Sequence, residues 1–154
     1  MKEDEPGMKT KTILVMNGPN LNLLGAREPD VYGELSLARI NDRLTREAEA
    51  LGTRLEFFQS NHEGALIDRL HAAAGQADGV VFNAGAYTHT SVALADAIRA
   101  TGLRVIEVHL SNVYRREAYR HHSCLAPACW GVVAGLGWKA YVCALRALLM
   151  DEEI

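Results

Sequence analysis

The sequence has no apolar run long enough to cross a membrane and no strong excess of charge of one sign. A membrane helix needs about 18 consecutive apolar residues, and no stretch of the 154 residues reaches that length. The formal net charge is -3, from 16 basic and 19 acidic side chains, which gives no reason to expect binding to nucleic acid. We therefore expect neither a membrane nor a nucleic acid as a partner.

Cysteine is scarce. Cys124, Cys129 and Cys143 are an odd number without the paired spacing of a metal site, which predicts unpaired thiols in a reducing compartment. The N-terminus lacks the charged, apolar and small-residue zones of a signal peptide. We expect a flexible leader over residues 1–11, a single domain over 12–154 and a cytoplasmic location.

Strand-like and helix-like segments alternate along the chain. Apolar runs bounded by turn residues predict strands at 13–16, 54–59, 79–83, 104–110 and 131–134. Amphipathic periodicity predicts helices at 36–51, 65–74, 90–100 and 138–150. This order predicts a parallel five-stranded sheet with helices on both faces.

Polar residues follow four of the predicted strands, at 17–32, 60–63, 83–89 and 109–120. Ligands of open parallel sheets bind beyond the carboxyl ends of the strands. We therefore expect these four segments to converge in one cleft.

The connection after the first strand is unusually long. Ordinary strand-to-helix loops have about 2–6 residues, and long loops in compact domains are often lids or binding loops. This loop contains Arg27 and Tyr32. A free tyrosine has a pKa of ~10, and a nearby guanidinium favours the phenolate. Tyr32 is thus a candidate base, although simple packing on the turn before Gly33 stays an open alternative.

His109 ends the fourth predicted strand, where it would face the cleft and could act as an acid or base near neutral pH. Strand alternation puts Glu107 on the same face, where its carboxylate could orient the ring. The alternative is an ordinary hydrogen-bonded histidine at a strand end.

The segment from Asn83 to Ser91 links the third strand to its helix. Thr90 or Ser91 could cap that helix, its N–H groups could hold a carboxylate or phosphate, and His89 could bind a ligand hydroxyl. A well-capped turn without a ligand is an equally good interpretation of this segment alone.

Other sites fit less well. The candidate metal ligands lack a recognisable spacing such as HExxH; they are His89, Glu107, His109, His121 and His122. No GxGxxG follows the first strand, which argues against a dinucleotide site.

Two binding modules with this order of elements also fit poorly. A flavodoxin phosphate loop would be rich in hydroxyls, but here it contains Pro19 and no serine or threonine before Ser36. A receiver domain needs carboxylates where this chain has Asn17 and Asn83. A flavodoxin-like module that binds an anion without turnover stays as the alternative to an enzyme.

Four separate motifs occur in order along the chain. They are Asn17-Gly18-Pro19-Asn20-Leu21-Asn22, Gly25-x-Arg27-Glu28-Pro29-x-x-Tyr32-Gly33, Asn83-Ala84-Gly85-Ala86-x-Thr88-His89-Thr90-Ser91, and Glu107-Val108-His109-Leu110-Ser111-Asn112 followed by Arg116 and Arg120. Together they resemble the type II 3-dehydroquinate dehydratases, over residues 12 to 150. The resemblance implies a flavodoxin-like three-layer fold and a lyase, without cofactor or metal, that dehydrates 3-dehydroquinate in the shikimate pathway or in quinate catabolism.

The resemblance also implies catalytic roles. Tyr32 would act as a phenolate on the C2 proton, and Arg27 would lower its pKa. Asn20 would help to stabilise the enolate, and His109 would protonate the leaving hydroxyl. Arg116 would close over the site near the tyrosine.

Substrate-binding roles follow from the same resemblance. Asn83 and the backbone N–H groups of Leu110 and Ser111 would bind the carboxylate of the substrate. His89 and Arg120 would hold ring hydroxyls.

The resemblance further implies a dodecamer built from trimers, in which Asp96 reaches the site of a neighbouring subunit. Trp130 departs from the family pattern, which usually has a small or aliphatic residue at that place. The unrelated type I enzymes use a lysine Schiff base, but none of the lysines follows a predicted strand; they are Lys2, Lys9, Lys11 and Lys139.

Overall fold

The computed structural model of the protein describes residues 9–26, Asp30 and residues 35–150. Arg27, Tyr32 and most of the predicted leader lie outside these described residues. No helix in the described ranges combines the length and the apolar character needed to span a membrane.

Five parallel strands form one sheet. They are β1 (Thr12–Asn17), β2 (Arg54–Gln59), β3 (Gly79–Asn83), β4 (Val105–His109) and β5 (Gly131–Ala134). Their order is β2-β1-β3-β4-β5, with β1 and β3 paired from Ile13 opposite Gly79 to Asn17 opposite Asn83. The predicted fold class is confirmed, and β2, β3 and β5 begin and end where the sequence predicts.

The helices lie on both faces of the sheet. They are α1 (Leu37–Ala50), α2 (Glu63–Ala73), α3 (Val92–Thr101) and α4 (Lys139–Leu149). Ile13 and Val15 pack with α1 and α4 in one core, whereas Leu14 and Met16 pack with α2 and α3 in the other. Because side chains alternate along a strand, β1 supplies both cores.

Two helices begin one residue later than predicted, at Leu37 and Lys139, and the other two begin two residues away from the predicted start. The second starts two residues earlier, because His62 is still extended and Glu63 already lies in the first turn. The third starts at Val92, because Ser91 is its cap and accepts the N–H of Leu94 at 3.0 Å. The residues before it, Gly85–His89, form a 3₁₀ turn that carries the predicted binding segment.

Candidate active site

A cleft opens beyond the carboxyl ends of β1, β3 and β4. The connections that leave β1 and β3 turn to opposite faces of the sheet, so the cleft lies at the topological switch point where open sheets bind ligands. The cleft is lined by eight residues that the sequence singled out: Asn20, Asn83, His89, His109, Leu110, Ser111, Arg116 and Arg120. Three of the four predicted polar segments therefore meet, as expected.

The fourth segment, residues 60–63, does not line the cleft, so its predicted convergence is wrong. It follows β2, which lies at the edge of the sheet beyond β1. Asn61 instead hydrogen-bonds to Asn20, which lines the cleft, and to Tyr87. Its side-chain oxygen accepts the N–H of Asn20 at 3.0 Å, and its carbonyl accepts the hydroxyl of Tyr87 at 2.9 Å.

Gly18 brings the first loop close to β3. Its N–H donates to the carbonyl of Asn83 at 2.7 Å, and a Cβ at this position would lie 2.3 Å from the carbonyl oxygen of Ala84. No larger residue fits without moving the backbone. The contact positions the next turn, in which Asn20 has a left-handed backbone with φ of 67°.

A buried tyrosine joins the ends of β1 and β3. The hydroxyl of Tyr141 donates to Asn17 Oδ1 at 2.5 Å and accepts from Asn83 Nδ2 at 2.9 Å. Burial raises the pKa of Tyr141, so the phenol stays neutral and can donate. Asn83 Oδ1 accepts the N–H of Gly85 at 3.1 Å, which fixes which side-chain atom of Asn83 is the donor.

The sequence alone does not indicate that Tyr141 is part of the site. It lies on the apolar stripe of α4 and is fully buried, so the sequence pattern there is that of an ordinary core residue. Its two partners are far away along the chain, and no local spacing points to them.

His109 and Glu107 form a buried pair on one face of β4, as the alternation predicts. His109 Nε2 lies 3.3 Å from Glu107 Oε2, and the two residues are 8% and 2% exposed. The pair combines a group that can transfer a proton with a carboxylate that water barely reaches. This arrangement favours the interpretation of His109 as a functional residue over that of a simple strand-end histidine.

His89 lies beside His109, with ring centroids 6.5 Å apart and planes inclined by 16°. Its Nδ1 is 2.7 Å from the carbonyl oxygen of His122. Because a carbonyl only accepts hydrogen bonds, Nδ1 carries the hydrogen, and Nε2 of the neutral ring is an acceptor. His89 can therefore accept a hydrogen bond from a ligand hydroxyl.

Two arginines bring positive charge to the cleft. Arg116 Nη1 donates to Ser111 Oγ at 3.4 Å, and Arg120 Nε donates to Glu117 Oε2 at 2.9 Å. Hydrogen bonds from its own backbone N–H and from Arg120 lower the pKa of Glu117. The cleft therefore suits an anionic ligand that also carries hydroxyls.

Asp96 does not line the cleft of its own chain. It lies exposed on α3, where its carboxylate is 3.7 Å from Arg99 Nη1. The prediction that it reaches a neighbouring subunit stays a prediction. Over the described ranges, no group of three or more His, Cys, Asp or Glu side chains is arranged to hold a metal ion.

Comparison with known proteins identifies the family. The family model described as dehydroquinase class II matches residues 11–149. The chain belongs to the class II dehydroquinase family. It is therefore a hydro-lyase of the dehydroquinase type, and not a flavodoxin-like binding module.

Relatives and solved structures agree with this assignment. The 3-dehydroquinate dehydratases of Ralstonia pickettii and Dinoroseobacter shibae are 56% and 55% identical, over 92% and 88% of this chain and 93% and 91% of their own. The crystal structure of the type II dehydroquinase from Butyrivibrio crossotus has a TM-score of 0.90 and 42% identity, covering 92% of this chain and 99% of that one. The residues of this chain that the family model matches include Arg27 and Tyr32.

Proposed function

We propose that this dehydroquinase eliminates water from 3-dehydroquinate to give 3-dehydroshikimate, with Tyr32 as the base and His109 as the acid. The observation that carries the proposal is the buried pair of His109 and Glu107, whose histidine lines the same cleft as Arg116 and Arg120. The names and identities of the relatives support the choice of substrate.

The first step is the removal of the C2 proton beside the ketone of the substrate. The phenolate of Tyr32 takes this proton, and the electron pair moves towards the ketone oxygen to form an enolate. Arg27 keeps the tyrosine ionised by placing a positive charge beside it. Asn20, which lines the cleft, helps to stabilise the enolate through a bound water, because negative charge develops on the ketone oxygen in the transition state.

The second step is the loss of the C1 hydroxyl. The enolate electrons form the new carbon–carbon double bond while the C–O bond breaks, and His109 donates a proton so that water leaves. Tyr32 follows β1 in the sequence, whereas His109 ends β4, so the base and the acid can approach opposite sides of the ring. Tyr32 then releases its proton to solvent and His109 takes one up, so that both side chains return to their starting protonation states. The net reaction consumes no cofactor.

The remaining cleft residues bind the substrate. Asn83 and the backbone N–H groups of Leu110 and Ser111 hold its carboxylate, because the Nδ2 of Asn83 has a second hydrogen beyond the one given to Tyr141. His89 and Arg120 hold ring hydroxyls.

Arg116 closes over the substrate near Tyr32. In the oligomer that we propose, a dodecamer of four trimers, Asp96 of one subunit completes the site of the next. The reaction serves the shikimate pathway or quinate catabolism in the cytoplasm.

The assignment of the base is tested with Tyr32→Phe, which keeps the ring and removes the ionisable hydroxyl. We expect kcat to fall by about a thousandfold, the usual contribution of acid–base catalysis, with an unchanged circular dichroism spectrum. Tyr114→Phe is the matched control, because Tyr114 is 69% exposed and does not line the cleft. Wild-type turnover by Tyr32→Phe would refute the assignment.

A further inference from the structure

Ser123 contacts the carboxylate that faces His109. Its Oγ lies 2.5 Å from Glu107 Oε1. Ser123 Oγ also accepts the backbone N–H groups of Leu125 at 3.1 Å and Ala126 at 2.9 Å. The serine stands at the end of the polar stretch after β4, and Cys124, the next residue, donates its N–H to the carbonyl of Thr88 at 2.8 Å.

The direction of these hydrogen bonds can be worked out. A hydroxyl has one hydrogen and two acceptor lone pairs. The two backbone N–H groups occupy both lone pairs of Ser123 Oγ, so the single hydrogen points to Glu107 Oε1. With Oε1 held by this bond, Oε2 is turned towards Nε2 of His109 at 3.3 Å.

The Glu107 carboxylate contacts Ser123 through Oε1 and His109 through Oε2. Glu107 is 2% exposed, so water barely reaches it. The nearby Cys129 is a neutral thiol, because burial and the charge of Glu107 raise its pKa to about 12. Ser123 is thus the hydroxyl donor that fixes the rotation of the Glu107 side chain.

We propose that Ser123 is a positioning residue for His109, acting through Glu107. The serine contacts no substrate in this account. It holds the carboxylate in the orientation that keeps the imidazole aligned for transfer of a proton to the leaving hydroxyl. The inference rests on the proposed function of His109 as the acid.

The test is Ser123→Ala, with kcat and KM measured separately. We expect kcat to fall by about tenfold, which corresponds to the loss of one hydrogen bond to a charged group, and KM to stay within about twofold. Ser123→Thr keeps the hydroxyl and should restore most of kcat. Ser60→Ala is the control, because Ser60 Oγ also accepts an N–H two residues later, that of His62 at 3.0 Å, and does not line the cleft.

A double-variant cycle separates positioning from a general effect on the fold. In the His109→Asn background, Ser123→Ala should cause no further loss of kcat, because the imidazole that Ser123 positions through Glu107 is absent. An equal loss in both backgrounds, or wild-type kcat in Ser123→Ala, would overturn the proposal. Full activity of His109→Asn alone would instead refute the role of His109 in the proposed function.

If Ser123→Ala does not yield folded protein, Ser123→Cys replaces the hydroxyl by a weak donor of similar size. The same loss of kcat is then expected, and unchanged kcat would count against the proposal.

Discussion

Asn83 and His89 each hydrogen-bond within the protein through the side chain and keep hydrogen-bonding capacity for a ligand. Asn83 gives one amide hydrogen to Tyr141, and His89 gives its Nδ1 hydrogen to the carbonyl of His122. Because these internal partners fix the orientation of the two side chains, the ligand meets groups that need no rearrangement. Such preorganisation is what electrostatic stabilisation in an active site requires.

Cys129 provides a prediction at the scale of one residue. Its pKa is raised to about 12 by burial and by the charge of Glu107, so at pH 8 about one thiol in ten thousand is ionised. We expect a thiol-specific reagent to modify the exposed Cys143 in the native protein and Cys129 only after unfolding. Peptide mapping by mass spectrometry distinguishes the sites, and rapid native labelling of Cys129 would contradict this account.

Between elements, one hydroxyl of α4, that of Tyr141, hydrogen-bonds to the last residues of β1 and β3. Tyr141 is fully buried, and its partners Asn17 and Asn83 are 2% and 3% exposed. A buried polar group that loses its partner costs about 1–3 kcal/mol. The tyrosine therefore both stabilises the fold and positions a residue that we propose to bind the substrate.

Tyr141→Phe should lower the free energy of unfolding by about 2 kcal/mol at pH 7 and raise KM, because Asn17 and Asn83 lose their common partner. Urea unfolding at fixed protein concentration measures the first effect. Since the pKa of Tyr141 is raised in the folded state, its contribution is complete below pH ~10 and declines as the pH rises further. The difference from wild type should therefore shrink in strong alkali, and a pH-independent difference would contradict the account.

At the level of the elements, the sequence predicted most of what the structure contains. Apolar runs and helical periodicity are local signals, so strands such as Gly79–Asn83 could be bounded correctly. The start of α3 was missed because Thr90 and Ser91 are both good caps, and only the contact of Ser91 with Leu94 distinguishes them.

For the whole molecule, what the sequence could not predict depends on distant contacts. The order of strands in a sheet is not encoded in any local sequence pattern. Because β2 lies at the edge of the sheet, residues 60–63 do not line the cleft. The hydrogen bond between Tyr141 and Asn17 joins residues 124 positions apart. The motifs around Asn83 and His109 were recognisable because each lies within one connection, whereas the Ser123 contact with Glu107 joins two segments.

Dehydration of 3-dehydroquinate is an activity of the whole protein, and one assay tests it most directly. Purified, EDTA-treated protein is mixed with 3-dehydroquinate, and the ultraviolet absorbance of the conjugated enone product is followed. We predict a steady rise that depends on protein concentration and that Tyr32→Phe slows by about a thousandfold. A correctly folded oligomer that binds the substrate but produces no rise would contradict the account.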